Sequence, residues 1–256
     1  MGFFQKNIFI IPIFTLISSC GIYLQNTVNV PLMEHAGQLQ IAAHESFNGP
    51  EGQASYSITK NIGVMANYQN KDEKRTDFSA VNYEINKHYF GEVGVGIYDF
   101  KKDDSKKNYK DLFFLAGQGM TSHYVQGLDS SQKNISVQFR QATYNRYCVQ
   151  GDFTKTFNKL TVAFSPRVFL ISYFDIIDST GNSYKKSPNM FVRAEFAITS
   201  RYHFTKNIAA MWQTCVTLPL MENGSYDDFS PFNFSVGLNI NLNLFKVEDK
   251  AKSSKM

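Results

Sequence analysis

The chain has 256 residues, which is long enough for one sizeable domain, and no change in composition divides it into two. Its 26 lysines and arginines are nearly balanced by 22 aspartates and glutamates, so its charge does not indicate a nucleic-acid partner. Aromatic residues reach 15%, which is typical of a β-rich protein with rings at a membrane interface.

The first residues predict an export signal. Lys6 is followed by an apolar stretch, Ile8–Ile17, which is too short to cross a membrane as a helix and has no stop-transfer segment after it. The order Ile17-Ser18-Ser19-Cys20 resembles the lipobox of bacterial lipoproteins. The resemblance implies a signal peptide over residues 1–19 and a mature protein that begins at Cys20, whose thiol receives diacylglycerol and with it palmitate. An ordinary cleaved signal with a chance cysteine is the alternative.

The segment after the cysteine predicts an anchor for the outer membrane. Gly21 stands where an aspartate would retain an enteric lipoprotein at the inner membrane, so the resemblance implies the outer membrane. Residues 21–36 show neither a strand nor a helix period and contain Pro31. Residues 20–36 are therefore predicted to be a lipidated tether.

The following residues predict an all-β fold, an antiparallel up-and-down transmembrane β-barrel over residues 37–245, with a charged tail at 246–256. About ten strands are expected, and eight or twelve remain possible. The strands are placed at 38–46, 51–59, 62–70, 87–99, 110–121, 139–154, 158–174, 189–203, 207–219 and 231–245.

The last strand has the clearest pattern. From Phe232 to Leu244 every second residue is apolar, and the residues between them, from Asn233 to Asn243, are Asn, Ser or Gly. Side chains alternate between the two faces of a strand, so this run has one apolar and one polar face. It is longer than the roughly 9 to 11 residues that cross a bilayer's hydrocarbon, which favours a membrane strand.

Short and long connections alternate along the chain. The links 58–62, 153–160 and 204–208 are predicted tight turns rich in Thr and Asn, whereas long polar loops follow strands 3, 5, 7 and 9. Short periplasmic turns and long outer loops are typical of outer-membrane barrels. The link 101–108 is an exception, because it is long on the tight-turn side. Pro166 removes a ladder donor from strand 7, so a bulge is predicted there.

The two faces of the strands are assigned from their charges. Lysine is absent from the interior of strands 1, 2, 3, 8, 9 and 10, so the apolar face is predicted to meet lipid and the polar face to line the lumen. Seven lumen residues are predicted to pair in a lumen charge network, because isolated charges there would cost several kcal/mol each. They are Glu92, Arg146, Asp152, Arg167, Arg193, Glu195 and Arg201. This network would plug the lumen, so a wide pore is not expected.

These features together resemble small Gram-negative outer-membrane β-barrels, in particular their lipoprotein versions of unassigned function. The resemblance is carried by Ile17–Cys20, by the turns around 56–64 and 202–208, and by the terminal strand ending at Phe245. It implies that the barrel-assembly machinery recognises this last strand. The charged tail after Phe245 departs from that pattern.

One short motif suggests a different chemistry. His44-Glu45-Ser46 resembles the His-x-Ser arrangement of outer-membrane lipid A deacylases, in which a histidine activates a hydroxyl to attack a lipid ester. Because Ile41 and Ala43 take the lipid face, His44 and Ser46 are expected to point into the lumen, away from lipid. No catalytic residue is therefore predicted, and the chain is expected not to be an enzyme.

The remaining candidate ligands indicate no site. His35, His88 and His203 share no metal-ligand spacing, so neither a metal nor a cofactor is predicted. Cys148 and Cys215 are predicted to be free and inward-facing, with a disulfide between them as the alternative.

The function predicted from these observations is that of an outer-membrane lipoprotein barrel with a structural or surface-interaction role. Its expected partners are outer-membrane lipid and the assembly machinery, with no nucleic acid, and it is expected to be a monomer, lipid-anchored, with both termini in the periplasm. The alternatives are an integral lipid-modifying enzyme and a soluble lipoprotein barrel that binds an apolar ligand.

Overall fold

Ten antiparallel strands form one closed barrel in the computed structural model, which describes residues 24–76, 83–103, 106–128, 135–178, 189–222 and 231–244. Each strand pairs with its neighbours in chain order, and β10 closes the ring against β1. The strands are β1 Gln38–Ser46, β2 Gly49–Ser57, β3 Ile62–Thr76, β4 Tyr83–Asp103, β5 Lys106–Leu128, β6 Ile135–Phe157, β7 Leu160–Asp178, β8 Asn189–His203, β9 Ile208–Glu222 and β10 Phe232–Asn243. The predicted fold class and strand number are confirmed. Within the described ranges no helix is long and apolar enough to cross a membrane.

The link between β4 and β5 is short, although the sequence predicted a long one. The two strands pair as far as Asp103 and Lys106, so only residues 104 and 105, which lie outside the described residues, separate them. The predicted loop 101–108 was wrong, because its lysines and tyrosine continue the ladder beyond the lipid-facing band. All four even-to-odd links are therefore short.

Pro166 is accommodated without the predicted bulge. The β6–β7 pairing resumes on both sides of the gap in one register, with Gln150 opposite Arg167 and Phe153 opposite Phe164. A local break in the hydrogen-bond ladder is enough, because proline has no N–H and only one bond of the ladder is lost. The register shifts elsewhere. In the β6–β7 pair Thr143 lies opposite Asp175 and Tyr144 opposite Tyr173, and in the β8–β9 pair Arg193 lies opposite Pro219 and Val192 opposite Met221.

The turns at the short end have the local chemistry that was predicted. Thr59 Oγ1 accepts the backbone N–H groups of Asn61 and Ile62 at 3.2 and 3.0 Å. Thr205 does the same for Asn207 and Ile208 at 3.2 and 3.1 Å. The two Thr-Lys-Asn-Ile turns are thus equivalent. Between β6 and β7, Asn158 adopts φ 54°, a left-handed conformation that asparagine tolerates better than most residues.

The outer surface of the barrel is an apolar belt. It consists of outward-facing residues on every strand, in the part of the wall nearer the short turns. Among them are Ile41, Tyr56, Val64, Val95, Phe114, Val149, Phe164, Ile198, Trp212 and Leu238. On β10, Val236 and Leu238 are 49% and 56% exposed, whereas Asn233, Ser235 and Asn239 are buried in the lumen. Apolar side chains outside and polar side chains inside are the arrangement of a membrane barrel, as predicted.

The wall is uneven in height at its long-loop end, where the β1–β2 turn and the longer connections lie. β1 and β2 have nine residues each, whereas β5 and β6 have 23 each. The part of β3–β7 that rises past the β1–β2 turn is called the overhang here; it comprises residues 71–76, 83–88, 121–128, 135–142 and 176–178. Its side chains are largely polar, and include a Lys87–Asp72 ion pair at 3.4 Å.

Candidate functional site in the barrel lumen

The lumen is occupied by the chain's own N-terminal segment. Residues 24–33, called the lumen strap here, are all buried, and Gln25 and Val28 are completely inaccessible. The prediction that residues 20–36 form a tether is therefore wrong for 24–33. These residues lack a periodic pattern because they are surrounded on all sides by the barrel wall, so neither a strand nor a helix face is selected.

The strap runs the whole way from one end of the barrel to the other. At the long-loop end the carbonyl of Gln25 accepts the side-chain amide of Asn48, which lies in the β1–β2 turn, at 2.9 Å. At the tight-turn end the carbonyl of Leu32 accepts the side-chain amide of Gln38 at 3.1 Å. Leu24 thus lies at the opposite end of the barrel from Leu244. The prediction that both termini lie in the periplasm concerns the ends of the chain, which lie outside the described residues.

Wall side chains bind the backbone of the strap in place of a strand partner. Gln213 bonds Val28 twice, accepting from its N–H at 2.7 Å and donating to its carbonyl at 2.9 Å. The N–H of Thr27 donates to Glu51 at 2.6 Å, and Arg201 donates to the carbonyl of Val30. Backbone groups in a closed interior need such partners, since an unpaired buried amide is costly.

Packing fixes the end of the strap near the short turns. A Cβ on Gly63 would lie 2.4 Å from Sδ of Met33, so the strap fits here only because residue 63 has no side chain. Beyond it, Glu34 accepts bonds from Nζ of Lys107 at 2.6 Å and from the hydroxyl of Tyr109 at 2.7 Å. Both contacts hold the strap against β3 and β5.

Asn26 connects two ion pairs in the wall. Arg146 contacts Glu92 at 2.5 Å, and Arg167 is paired with Glu195 across β7 and β8. Oδ1 of Asn26 accepts bonds from Arg146 at 2.8 Å and from Arg167 at 3.0 Å, while its Nδ2 donates to Glu92 at 3.2 Å. One neutral strap residue therefore contacts three charged groups of the wall.

The other predicted network residues are also buried in the lumen. Arg201 interacts electrostatically with Asp152 and with Asp111, which lies directly opposite Asp152 on β5. Asp152 also accepts a bond from Gln150 at 2.9 Å. Arg193 is 1% exposed and faces the lumen from β8. The structure thus brings four of the seven predicted residues into direct ion pairs and places the other three in the same interior.

Aromatic rings close the network on its long-loop side. The guanidinium of Arg146 lies 4.1 Å from the ring centroid of Phe90, a cation–π distance. Phe90 stacks on Tyr144 with centroids 6.0 Å apart, and Tyr144 contacts Tyr173 at 5.5 Å. These rings shield the charges below them from water, which strengthens the charge pairs.

Sequence reasoning missed three parts of this site. Glu51 was overlooked because it stood at a predicted strand end, although its parity with Gln53 and Ser55 placed it on the polar face. The inward rings were missed because lumen residues were expected to be polar. The strap was missed because its partners are far away in the chain, and no local pattern could show them.

The His44 and Ser46 motif is not assembled as an acid–base pair. The ring of His44 lies over Gly237, where a Cβ would come within 2.8 Å of Nδ1. The hydroxyl of Ser46 donates to the carbonyl of Gly49 at 2.9 Å and to Glu51 at 3.0 Å. Both side chains face the lumen, as their parity predicted.

The thiols and possible metal ligands form no cluster in the described residues. Cys148 and Cys215 are free and buried. Within these ranges no group of three or more His, Cys, Asp or Glu side chains could hold a metal ion.

Comparison with known proteins finds similarity only among solved structures. No protein-family description matches the chain, and no curated protein matches it. The translocator domain of the autotransporter NalP from Neisseria meningitidis is 10% identical, with 80% of this chain and 85% of that chain covered and a TM-score of 0.45. The NanC porin is 12% identical, with coverages of 80% and 100% and a TM-score of 0.32. CarO from Acinetobacter baumannii is 9% identical, with coverages of 80% and 97% and a TM-score of 0.30.

Proposed function

We propose that this outer-membrane β-barrel is a non-conducting lipoprotein with a structural or surface-interaction role. One observation carries the proposal: the lumen strap runs through the barrel, and its polar atoms bond to wall residues, among them Arg146, Arg167 and Gln213. A lumen built for transport would need room for a solute. Here the space along the axis is taken by backbone.

The overhang supports a role at the cell surface. It lifts a polar part of β3–β7 past the apolar belt on the long-loop side, which in such barrels faces the outside. Cross-strand contacts stiffen it, including the Lys87–Asp72 pair and a bond between His123 and Glu84 at 3.2 Å. A stiff polar wall of this kind suits contact with envelope lipid headgroups or with another surface molecule.

The proposal includes anchoring through Cys20 and insertion by the barrel-assembly machinery. The lipobox order Ile17–Cys20 supports the first, and the alternating terminal strand Phe232–Asn243 supports the second. It includes no catalytic activity, no nucleic-acid partner and a monomeric state. The short tight turns, and Leu244 beside them, would lie in the periplasm.

Lipid attachment is tested by labelling cells with radioactive palmitate. The wild-type protein should incorporate the label, and Cys20→Ala should not, while a control variant Cys148→Ala should incorporate it normally. An unlabelled wild-type protein would remove the lipoprotein part of the proposal.

The competing enzymatic function is tested on the lipid itself. Cells with and without the protein should show the same lipid A acylation profile, because His44 and Ser46 are not paired and face away from the bilayer. A change in acylation that disappears in His44→Ala, with the barrel still folded, would favour the enzyme instead.

A further inference from the structure

The first described residues of the strap lie beside the lowest part of the described wall. Gln25 is held by Asn48 of the β1–β2 turn, by Gln69 at 3.1 Å and by Asn233 at 3.4 Å. These three side chains mark the upper rim formed by β10, β1, β2 and the neighbouring part of β3. Among the described residues, the overhang on β3–β7 rises higher than this rim.

We infer that the strap carries Cys20 out through the long-loop end, so that the lipid on Cys20 inserts into the outer leaflet of the outer membrane. The inference rests on the lipidation proposed above and specifies the leaflet into which the lipid inserts. A lipid in the periplasmic leaflet, which the sequence pattern favoured, is incompatible with the path of the strap.

The length of the chain between Cys20 and Gln25 decides between the two leaflets. Cys20 lies five positions before Gln25, and an extended chain of that length spans at most about 18 Å. The hydrocarbon core of a bilayer is about 30 Å thick. With Gln25 held at the outer rim, Cys20 cannot reach the inner leaflet, whatever course the residues between them take.

The rim also offers a suitable place for acyl chains. Phe47 of the β1–β2 turn is 48% exposed, and its ring lies 5.9 Å from that of Phe234 on β10. Aromatic rings at this level are typical of the boundary between hydrocarbon and headgroups. A lipidated chain that crosses the low rim would place its acyl chains beside this pair.

The side of the membrane is tested by cysteine labelling on intact cells. In a Cys148→Ala, Cys215→Ala background, Tyr23→Cys is treated with a membrane-impermeant maleimide before and after permeabilisation of the outer membrane. Cys20 does not interfere once its thiol carries lipid. Asn207→Cys, in the β8–β9 turn at the other end of the barrel, is the matched control.

The expected result is equal labelling of Tyr23→Cys before and after permeabilisation, with Asn207→Cys labelled only afterwards. Labelling of Tyr23→Cys only after permeabilisation would place the N-terminal side in the periplasm and overturn the inference. Ile22→Cys replaces Tyr23→Cys if that variant fails to fold. Palmitate incorporation separates the two hypotheses: a surface-labelled but palmitate-free protein refutes only lipidation, and a lipidated protein labelled only from within refutes only the outer-leaflet location.

Discussion

Asn26 shows how one neutral side chain can organise several charges. Its carboxamide has an acceptor for two guanidinium groups and a donor for one carboxylate, and its backbone carbonyl accepts a further bond from Arg167 at 2.9 Å. A charged residue in the same place would upset the balance between Arg146, Arg167 and their acids. Hydrogen bonds to charged groups are the strong ones inside a protein, so this position should be sensitive to substitution.

Asn26→Ala should lower the free energy of unfolding by about 2 to 4 kcal/mol, because Arg146 and Arg167 each lose one buried acceptor and Glu92 loses one donor. Asn29→Ala is the matched control in the same strap. Its side-chain partners are all neutral: Asn67 at 2.9 Å, the hydroxyl of Ser55 at 3.1 Å and the carbonyl of Ala54 at 3.2 Å, so a loss of about 1 kcal/mol is expected. Urea unfolding in detergent can be followed by the fluorescence of Trp212, the single tryptophan of the sequence. Equal losses for the two variants would contradict the bridging role.

Glu195→Ala should cost about 3 to 5 kcal/mol, since it leaves Arg167 buried without its carboxylate. Thr217 also donates to Glu195 at 3.1 Å and would lose its acceptor. Asp99→Ala is the control, because Asp99 makes an exposed ion pair with Lys101 at 3.6 Å that is screened by water. The same urea titration measures both. If the two variants unfold at the same urea concentration, Glu195 and Arg167 do not form a buried pair in the folded protein.

The strap is an element without secondary structure whose backbone bonds come from side chains of at least five strands. The interior of a barrel of about eight strands is just filled by its own side chains. A barrel of ten strands is slightly wider, and the strap fills the remaining space. Its removal should leave the wall closed, because β1 pairs with β10 from Gln38 to Ser46 independently of it.

Deletion of residues 24–33 should therefore leave the ring of strands intact but open its lumen, so that the barrel conducts ions. In planar-bilayer recordings the refolded wild-type protein should show no large, steady conductance, whereas the deletion variant should show discrete channel openings. Deletion of the tail 246–256 is the control and should leave the wild-type behaviour unchanged. Steady conductance of the wild-type protein would show that the strap does not block the lumen.

At the scale of the whole molecule, the sequence predicted the parts of the fold that depend on local pattern. Period-two alternation identified ten strands and both faces, and the Thr-Lys-Asn-Ile turns identified the short end. The lengths of β4, β5 and β6 were underestimated because their ends leave the lipid, where alternation is no longer required. The strap depends on contacts such as Val28 with Gln213, 185 residues apart, which no local pattern encodes.

Membrane integration of the whole molecule should depend on the apolar belt and not on the acyl chains attached to Cys20. Cys20→Ala should remain in the membrane fraction after a carbonate wash and should migrate faster on a gel when unheated than when boiled. The reason is that the belt buries its area in lipid whether or not an acyl chain is attached. Release of Cys20→Ala by carbonate alone would show instead that the anchor holds the protein in place.

The passage of the strap through a closed ring also constrains the order of assembly. Chains rarely thread a closed loop, and drawing a free end through a filled interior after closure would be slow. A chain end that bears acyl groups would be too bulky to pass through this lumen. The strap joins β1 through a bend at Gly37, whose φ is 78°, so strap and β1 can dock on the growing sheet together. The seam between β1 and β10 then closes last, around a segment already in position.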